Sequence, residues 1–355
     1  MKKLLSIILC AIMLIAMASP AFANEPINDN VNVGLEAYAS RIISDYINIR
    51  IEDIENVQDT DIFSLSQGYQ IINHTDLNSR MFFLFQNEKC IGKLVATSIN
   101  GEYASSFVPY EIPAVTEAYE NHIPFVVIAG EYSSFIKSGN RTYRLSGNEE
   151  FVQHDFQNMT ENEIIQLSPV NFHYNEVISA VVKPSLLGVP HVGNGRSPDT
   201  GKGLCWAASV ASIGAYTNND DDPLTALQLY NNLKTPNTSD FPIGTDTWVA
   251  RAFEFYSIIP KQVANGLTYS GVKSLIEKYT PMYASLKDSS GNIGHGVVIC
   301  GCHTSSNLGF YDMMDPNVDN YVTSNGVSTT GSSKNFIYPA DGTTYTTWSY
   351  AMHKR

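Results

Sequence analysis

Residues 203–216 read "GLCWAASVASIGAY". Trp206, Val210 and Ile213 recur at the spacing of one helical face, with the small residues Ala207, Ala208, Ala211 and Gly214 between them. A helix with so little side-chain bulk can sit deep in a core. It begins at Cys205, where the first N–H groups lack a carbonyl partner and the helix dipole favours negative charge. A cysteine so placed is either a small buried apolar residue or a nucleophile held as a thiolate. The choice turns on whether the chain supplies a base and a group to orient it.

Beyond residue 184 the histidines are His191, His295, His303 and His353. His295 lies in "NIGHGVVICGC", at the start of an apolar, β-rich segment, and a glycine on each side leaves room for another element to approach. On a regular strand His295, Val297 and Ile299 share one face while Val298, Cys300 and Cys302 share the other, so the C-x-C pair points away from the histidine. The next strand-like segment, "LGFYDMMDPNVDNY", carries Asp315, and two neighbouring antiparallel strands bring Asp315 within reach of His295. A carboxylate there fixes the imidazole tautomer and steadies the imidazolium, with Asn317 as the alternate orienting residue. Taken alone, Asp-Pro-Asn is ordinary turn chemistry.

The chain begins "MKKLLSIILCAIMLIAMASPAFA": a basic start at Lys2 and Lys3, an apolar run from Leu4 to about Met17, and a small-residue end at Ala21-Phe22-Ala23. This is the pattern of a secretory signal peptide cleaved after about Ala23. The run is shorter than the ~20 residues of a comfortable membrane span. The expected product is exported and leaves the membrane once the leader is removed. Four cysteines then remain, Cys90, Cys205, Cys300 and Cys302, too few for a disulfide-stapled small domain.

Charge divides the rest of the chain. Residues 24–183 hold 22 acidic and 9 basic residues, whereas 184–355 hold 13 and 11. So acidic a first part argues against a nucleic-acid partner. An amphipathic helix opens it (Leu35, Ala39, Ile42, Ile43, Tyr46), followed by a hairpin turning at Asn87-Glu88-Lys89, a strand "EYASSFVPY", a helix "IPAVTEAYENH" and a strand "PFVVIAG". A small α+β domain is expected over about 33–150, then a loosely patterned connecting segment over about 151–183. In the second half, helices at 205–216, 222–234 (capped by Asp222), 245–257 and 270–279 precede strand-like segments at "PMYASLK", "GHGVVICGCH", "LGFYDMMDP" and "KNFIYP". Helices first and strands second describe an α+β domain with a cleft between its halves. "DPNVDNYVTSNG" has D-x-N-x-D spacing, but Asn320 and Gly326 stand where a calcium loop wants Gly and Glu. No metal or cofactor is expected.

The pieces "LCWAASVASI", "GHGVVICG" and "MMDPN" together resemble the papain-like cysteine peptidases, in particular the short bacterial branch that includes staphopains and plant-pathogen effector peptidases. The resemblance covers about 184–355 and implies a two-lobed catalytic domain, one lobe helical and one of antiparallel β-strands. It implies Cys205 as nucleophile, His295 as general base and Asp315 as the orienting residue. "MFFLFQNEKCIGKLVAT", "EYASSF" and "IPAVTEAY" resemble the propeptides of such enzymes, which block the cleft until cleaved; cleavage is expected within about 172–190. The implied product is a monomeric, secreted endopeptidase made as a zymogen and acting on proteins or peptides. Another Cys-His-Asp acyl-transfer enzyme (a transglutaminase or cell-wall amidase) and a non-catalytic binding protein on the same fold are the alternatives. The family carries a glutamine shortly before the nucleophile to assist the oxyanion. Here no Gln stands between Pro184 and Cys205; Asp199 lies six residues before it, and Asn194 is the oxyanion candidate if the Gly-rich lead loops back.

Overall fold

The computed structural model describes residues 29–54, 57–58, 61–72, 78–130, 133–147, 153, 172–174, 186–234, 245–291, 294–305, 308–327, 336–340 and 343–355. The expected leader and most of the connecting segment lie outside them. Among the described residues no helix is long and apolar enough to cross a membrane.

The first half builds a sheet covered on both faces. Helix α1 (Asp29–Arg50) is followed by β1 (Phe63–Ser66), β2 (Tyr69–Ile72), β3 (Arg80–Gln86), β4 (Lys89–Ile99) and β5 (Glu102–Pro109). Then come α2 (Pro113–Glu120), β6 (Val126–Ala129), β7 (Ser134–Ser138), β8 (Arg141–Ser146) and β9 (Phe172–Tyr174). Strand β3, "RMFFLFQ", is buried at every position. Phe82 and Leu84 point into a core with Leu35, Ile42 and Tyr46 of α1, while Met81, Phe83 and Phe85 face Val115 and Ala118 of α2. An unbroken apolar strand is what two covered faces require. The β3–β4 hairpin turns at Asn87 (φ 48°) and Glu88 (φ 73°), the paired left-handed residues that match strand twist in a two-residue turn.

The second half holds α3 (Cys205–Asn218), α4 (Ala226–Leu233), α5 (Asp246–Phe255), β10 (Pro260–Ala264) and α6 (Tyr269–Ile276). They are followed by β11 (Met282–Asp288), β12 (Gly294–Ser305), β13 (Leu308–Met314), β14 (Tyr321–Val327), β15 (Tyr338–Pro339) and β16 (Thr344–Lys354). Eleven residues of α3 are buried. Gly214 shows why small residues are needed, since a Cβ there would lie 2.4 Å from the Tyr256 ring. Helix α4 starts later than Asp222: Thr225 is its cap, in a reciprocal capping box with Gln228. The four helices and β11–β16 share a single hydrophobic core.

The strands run in the order β10-β16-β11-β12-β13-β14-β5-β4-β3-β2-β6-β7-β8, so one sheet passes from the second half into the first through the β14–β5 pair. Strand β9 pairs with β1, which carries the first half's sheet to Tyr174. Leu186 already bridges Gly301, and Leu187 N donates to Cys300 O, so the chain has changed halves by residue 186.

Candidate active site

Three elements converge on one point. The start of α3 is fixed by Leu204, whose N–H lies 2.8 Å from both Gly195 O and Asn194 Oδ1. Strand β12 places His295 opposite Leu286 of β11, and β13, paired antiparallel with β12, runs from Leu308 to Met314 and delivers Asp315 at its end. Gly296 lets helix and strand approach. A Cβ on it would lie 2.8 Å from the Tyr283 ring and 3.1 Å from Trp206 Cα, and Ser209 Oγ donates to its carbonyl at 2.9 Å. The other flanking glycine, Gly294, meets only the Leu286 carbonyl at 3.9 Å.

His295 Nε2 lies 2.9 Å from Asp315 Oδ1. With Nε2 so engaged, Nδ1 is the ring nitrogen left to face Cys205, whose thiol lies close enough to act on the charge of the ring. All three residues are closed to solvent: Cys205 is 8 % exposed, His295 4 % and Asp315 1 %. Burial alone would depress the His295 pKa; the Asp315 charge and hydrogen bond, with Cys205 adding to them, outweigh it and raise the pKa to about 10. Burial would likewise raise that of Asp315, but His295, the Tyr338 hydroxyl and the Asn317 N–H hold it below the usual carboxylate range. Tyr338 OH donates to Asp315 Oδ2 at 2.6 Å, and Asn317 N donates to Oδ1 at 2.8 Å. Tyr345 stacks on the His295 ring at 5.3 Å and against Tyr338 at 6.0 Å.

The Gly-rich lead does loop back. His191 Nε2 donates to Asp315 O at 3.2 Å, Asn194 N to Pro316 O at 2.8 Å, and Asn194 Nδ2 to Asn317 Oδ1 at 2.7 Å. Asn194 therefore links the start of the nucleophile helix to the Asp315 turn, and one of its amide hydrogens is already engaged. The Asn317 side chain meets Asn194, and the imidazole meets Asp315. Asp199 turns to Lys234 Nζ (2.7 Å) and Tyr230 OH (2.5 Å), and these two hold its carboxyl below the usual range.

Sequence reasoning passed over Tyr338, Tyr345 and His191. Tyr338 and Tyr345 lie more than 130 residues after the nucleophile in a chain with 20 tyrosines, and no spacing marks them out. Cys90, Cys300 and Cys302 are free and buried, and burial pushes their thiols up, that of Cys302 to about 11. Among the described residues no cluster of three or more His, Cys, Asp or Glu is arranged to hold a metal ion.

A thiol at a helix start, beside an imidazole that is bonded to a buried carboxylate, has the layout of nucleophilic acyl transfer. No curated protein matches the chain. Residues 197–328, which hold Cys205, His295 and Asp315, match the family model described as papain-like cysteine protease AvrRpt2, and this similarity supports a papain-like cysteine peptidase.

Proposed function

We propose that the protein is a secreted cysteine endopeptidase of the short bacterial papain-like branch, made as a zymogen. The observation that carries the reading is the His295 imidazole, bonded to Asp315 through Nε2 and near enough to the Cys205 thiol to be acted on by it. In this reading His295 takes the Cys205 proton and the thiolate attacks a peptide carbonyl. The imidazolium, steadied by Asp315, then protonates the leaving amine as the C–N bond breaks. Water, deprotonated by His295, hydrolyses the thioester and returns the thiol. The oxyanion would be met at the start of α3, whose first N–H groups lack a carbonyl partner within the helix, with the Asn194 amide beside it. The low exposure of Cys205 and His295 in the full-length chain supports a latent form that opens after cleavage within 172–190, and the leader pattern at 1–23 supports export.

The test follows residues 24–355 and the Cys205→Ala variant side by side by intact mass in reducing buffer, and then adds casein. Trimming within 172–190 and casein digestion by the wild type, both absent in the variant, are expected. A chain cut within 172–190 by an added protease that digests no casein overturns the peptidase reading.

A further inference from the structure

The two halves meet across buried, bonded surface. The Arg50 side chain of α1 is 2 % exposed; its Nη1 lies 3.6 Å from Asp312 Oδ1 of β13 and 3.3 Å from Thr323 Oγ1 of β14. Asp312 also holds His303 and accepts from Thr323 at 2.7 Å, so this pair is completed from the first half. A second cluster joins Asn325 of β14 to Tyr38 OH (2.6 Å) and to Ser105 N (2.8 Å). Phe310 of β13 lies in the α1 core, edge-on to Tyr46 at 5.3 Å. Stripping the first half away would uncover the β14 edge, an aromatic ring, a buried carboxylate and a buried amide together. Such groups are costly to leave unpaired, and an open strand edge invites aggregation.

Further contacts fall on the two segments that hold the acid side of the candidate triad. Gly147 N donates to Asn317 O at 2.5 Å and Asn320 Nδ2 to Pro109 O at 2.6 Å, on the turn that follows Asp315. Ser106 Oγ donates to Pro339 O, next to Tyr338, and Ser79 Oγ lies 3.3 Å from Thr344 Oγ1, next to Tyr345.

From this juxtaposition we propose that the first half is a permanent buttress of the catalytic centre: after the connecting segment is hydrolysed it stays bound without a covalent link and keeps Asp315 and Tyr338 in place. This rests on the peptidase reading for its catalytic consequence, but retention itself does not. The working enzyme is then a two-piece complex in which only the 175–185 stretch is opened.

The test inserts a specific protease site within 176–184 of the chain from residue 24, with Cys205 intact or replaced by Ala. After cutting, the two pieces of the Cys205→Ala form are run on gel filtration at high salt. Co-elution is expected. An N-terminal piece that elutes apart from a folded C-terminal piece overturns retention, and does so whatever the enzyme's activity. In the Cys205 form, the pH profile of alkylation at Cys205 is compared with that of the double variant Ser106→Ala/Asn320→Ala. The variant is expected to need a higher pH before Cys205 alkylates and to slow at least tenfold on the acid side of neutral, because Asp315 holds the imidazolium, and with it the thiolate, less well. An unchanged profile overturns the buttress. Co-elution without casein hydrolysis leaves retention standing and counts against the peptidase reading.

Discussion

His295 and Asp315 lie 20 residues apart in sequence and 2.9 Å apart in space, both almost fully buried, with Tyr338 on the far oxygen of the carboxylate. Asp315 is thus held from His295, Tyr338 and the Asn317 N–H at once. Its charge is met inside the protein, not by water.

This pair gives stability a definite pH window. The His295 pKa is raised to about 10, so its contribution is complete below the ordinary histidine value of ~6.5 and is lost as pH rises through about 10. That of Asp315 is lowered, so its contribution is present above ~3.9 and lost as pH falls through the folded value. Thermal midpoints of the wild type and His295→Gln should differ most at roughly pH 5–6 and converge towards pH 10. A constant difference across that range would show that the imidazolium is not stabilised by Asp315.

Tyr338→Phe removes one hydrogen bond to a buried carboxylate and leaves the ring. The expected loss is about 1–3 kcal/mol of stability, measured by urea unfolding.

Gly296→Ala forces a methyl group against Tyr283 and the α3 backbone. Stability should fall by about 1–3 kcal/mol. Casein hydrolysis should fall more steeply, by roughly a hundredfold, because the strain separates Cys205 from His295. Parallel urea melts and initial rates distinguish the two effects.

Asn194→Ala breaks the link between Leu204 N and Asn317 Oδ1. The expected result is a fall in kcat with KM little changed, and Asn194→Gln should not restore it, since the longer amide cannot make both bonds. Steady-state kinetics on a peptide substrate check this.

The candidate site's residues were legible in the sequence where chemistry and local pattern coincide. The small-residue helix marked Cys205, the strand start marked His295, and antiparallel neighbours placed Asp315 beside it. Faces predicted for the start of β12 rest on regular alternation, whereas the β12–β13 register shifts between Ile299 and Gly301. What escaped was set by long-range partners. Strand β14, "YVTSNGV", is too polar to read as a core strand, yet Asn325 is buried because Tyr38, 287 residues earlier, completes its bonds. Arg50 reads as a solvated helix end and is instead drawn inward by Asp312 and Thr323. Asp222 offered a plausible cap, but the Thr225–Gln228 pair satisfies two backbone groups reciprocally, and the helix starts there.

The central claim is that Cys205 is a nucleophile activated by His295. Alkylation of the connecting-segment-cleaved chain at neutral pH, with peptide mapping of every cysteine, tests it most directly. The account predicts that Cys205 is labelled far faster than Cys90, Cys300 and Cys302, and that His295→Ala slows it by roughly a hundredfold or more. Labelling of Cys205 no faster than that of the other three, or unaffected by His295→Ala, would contradict it.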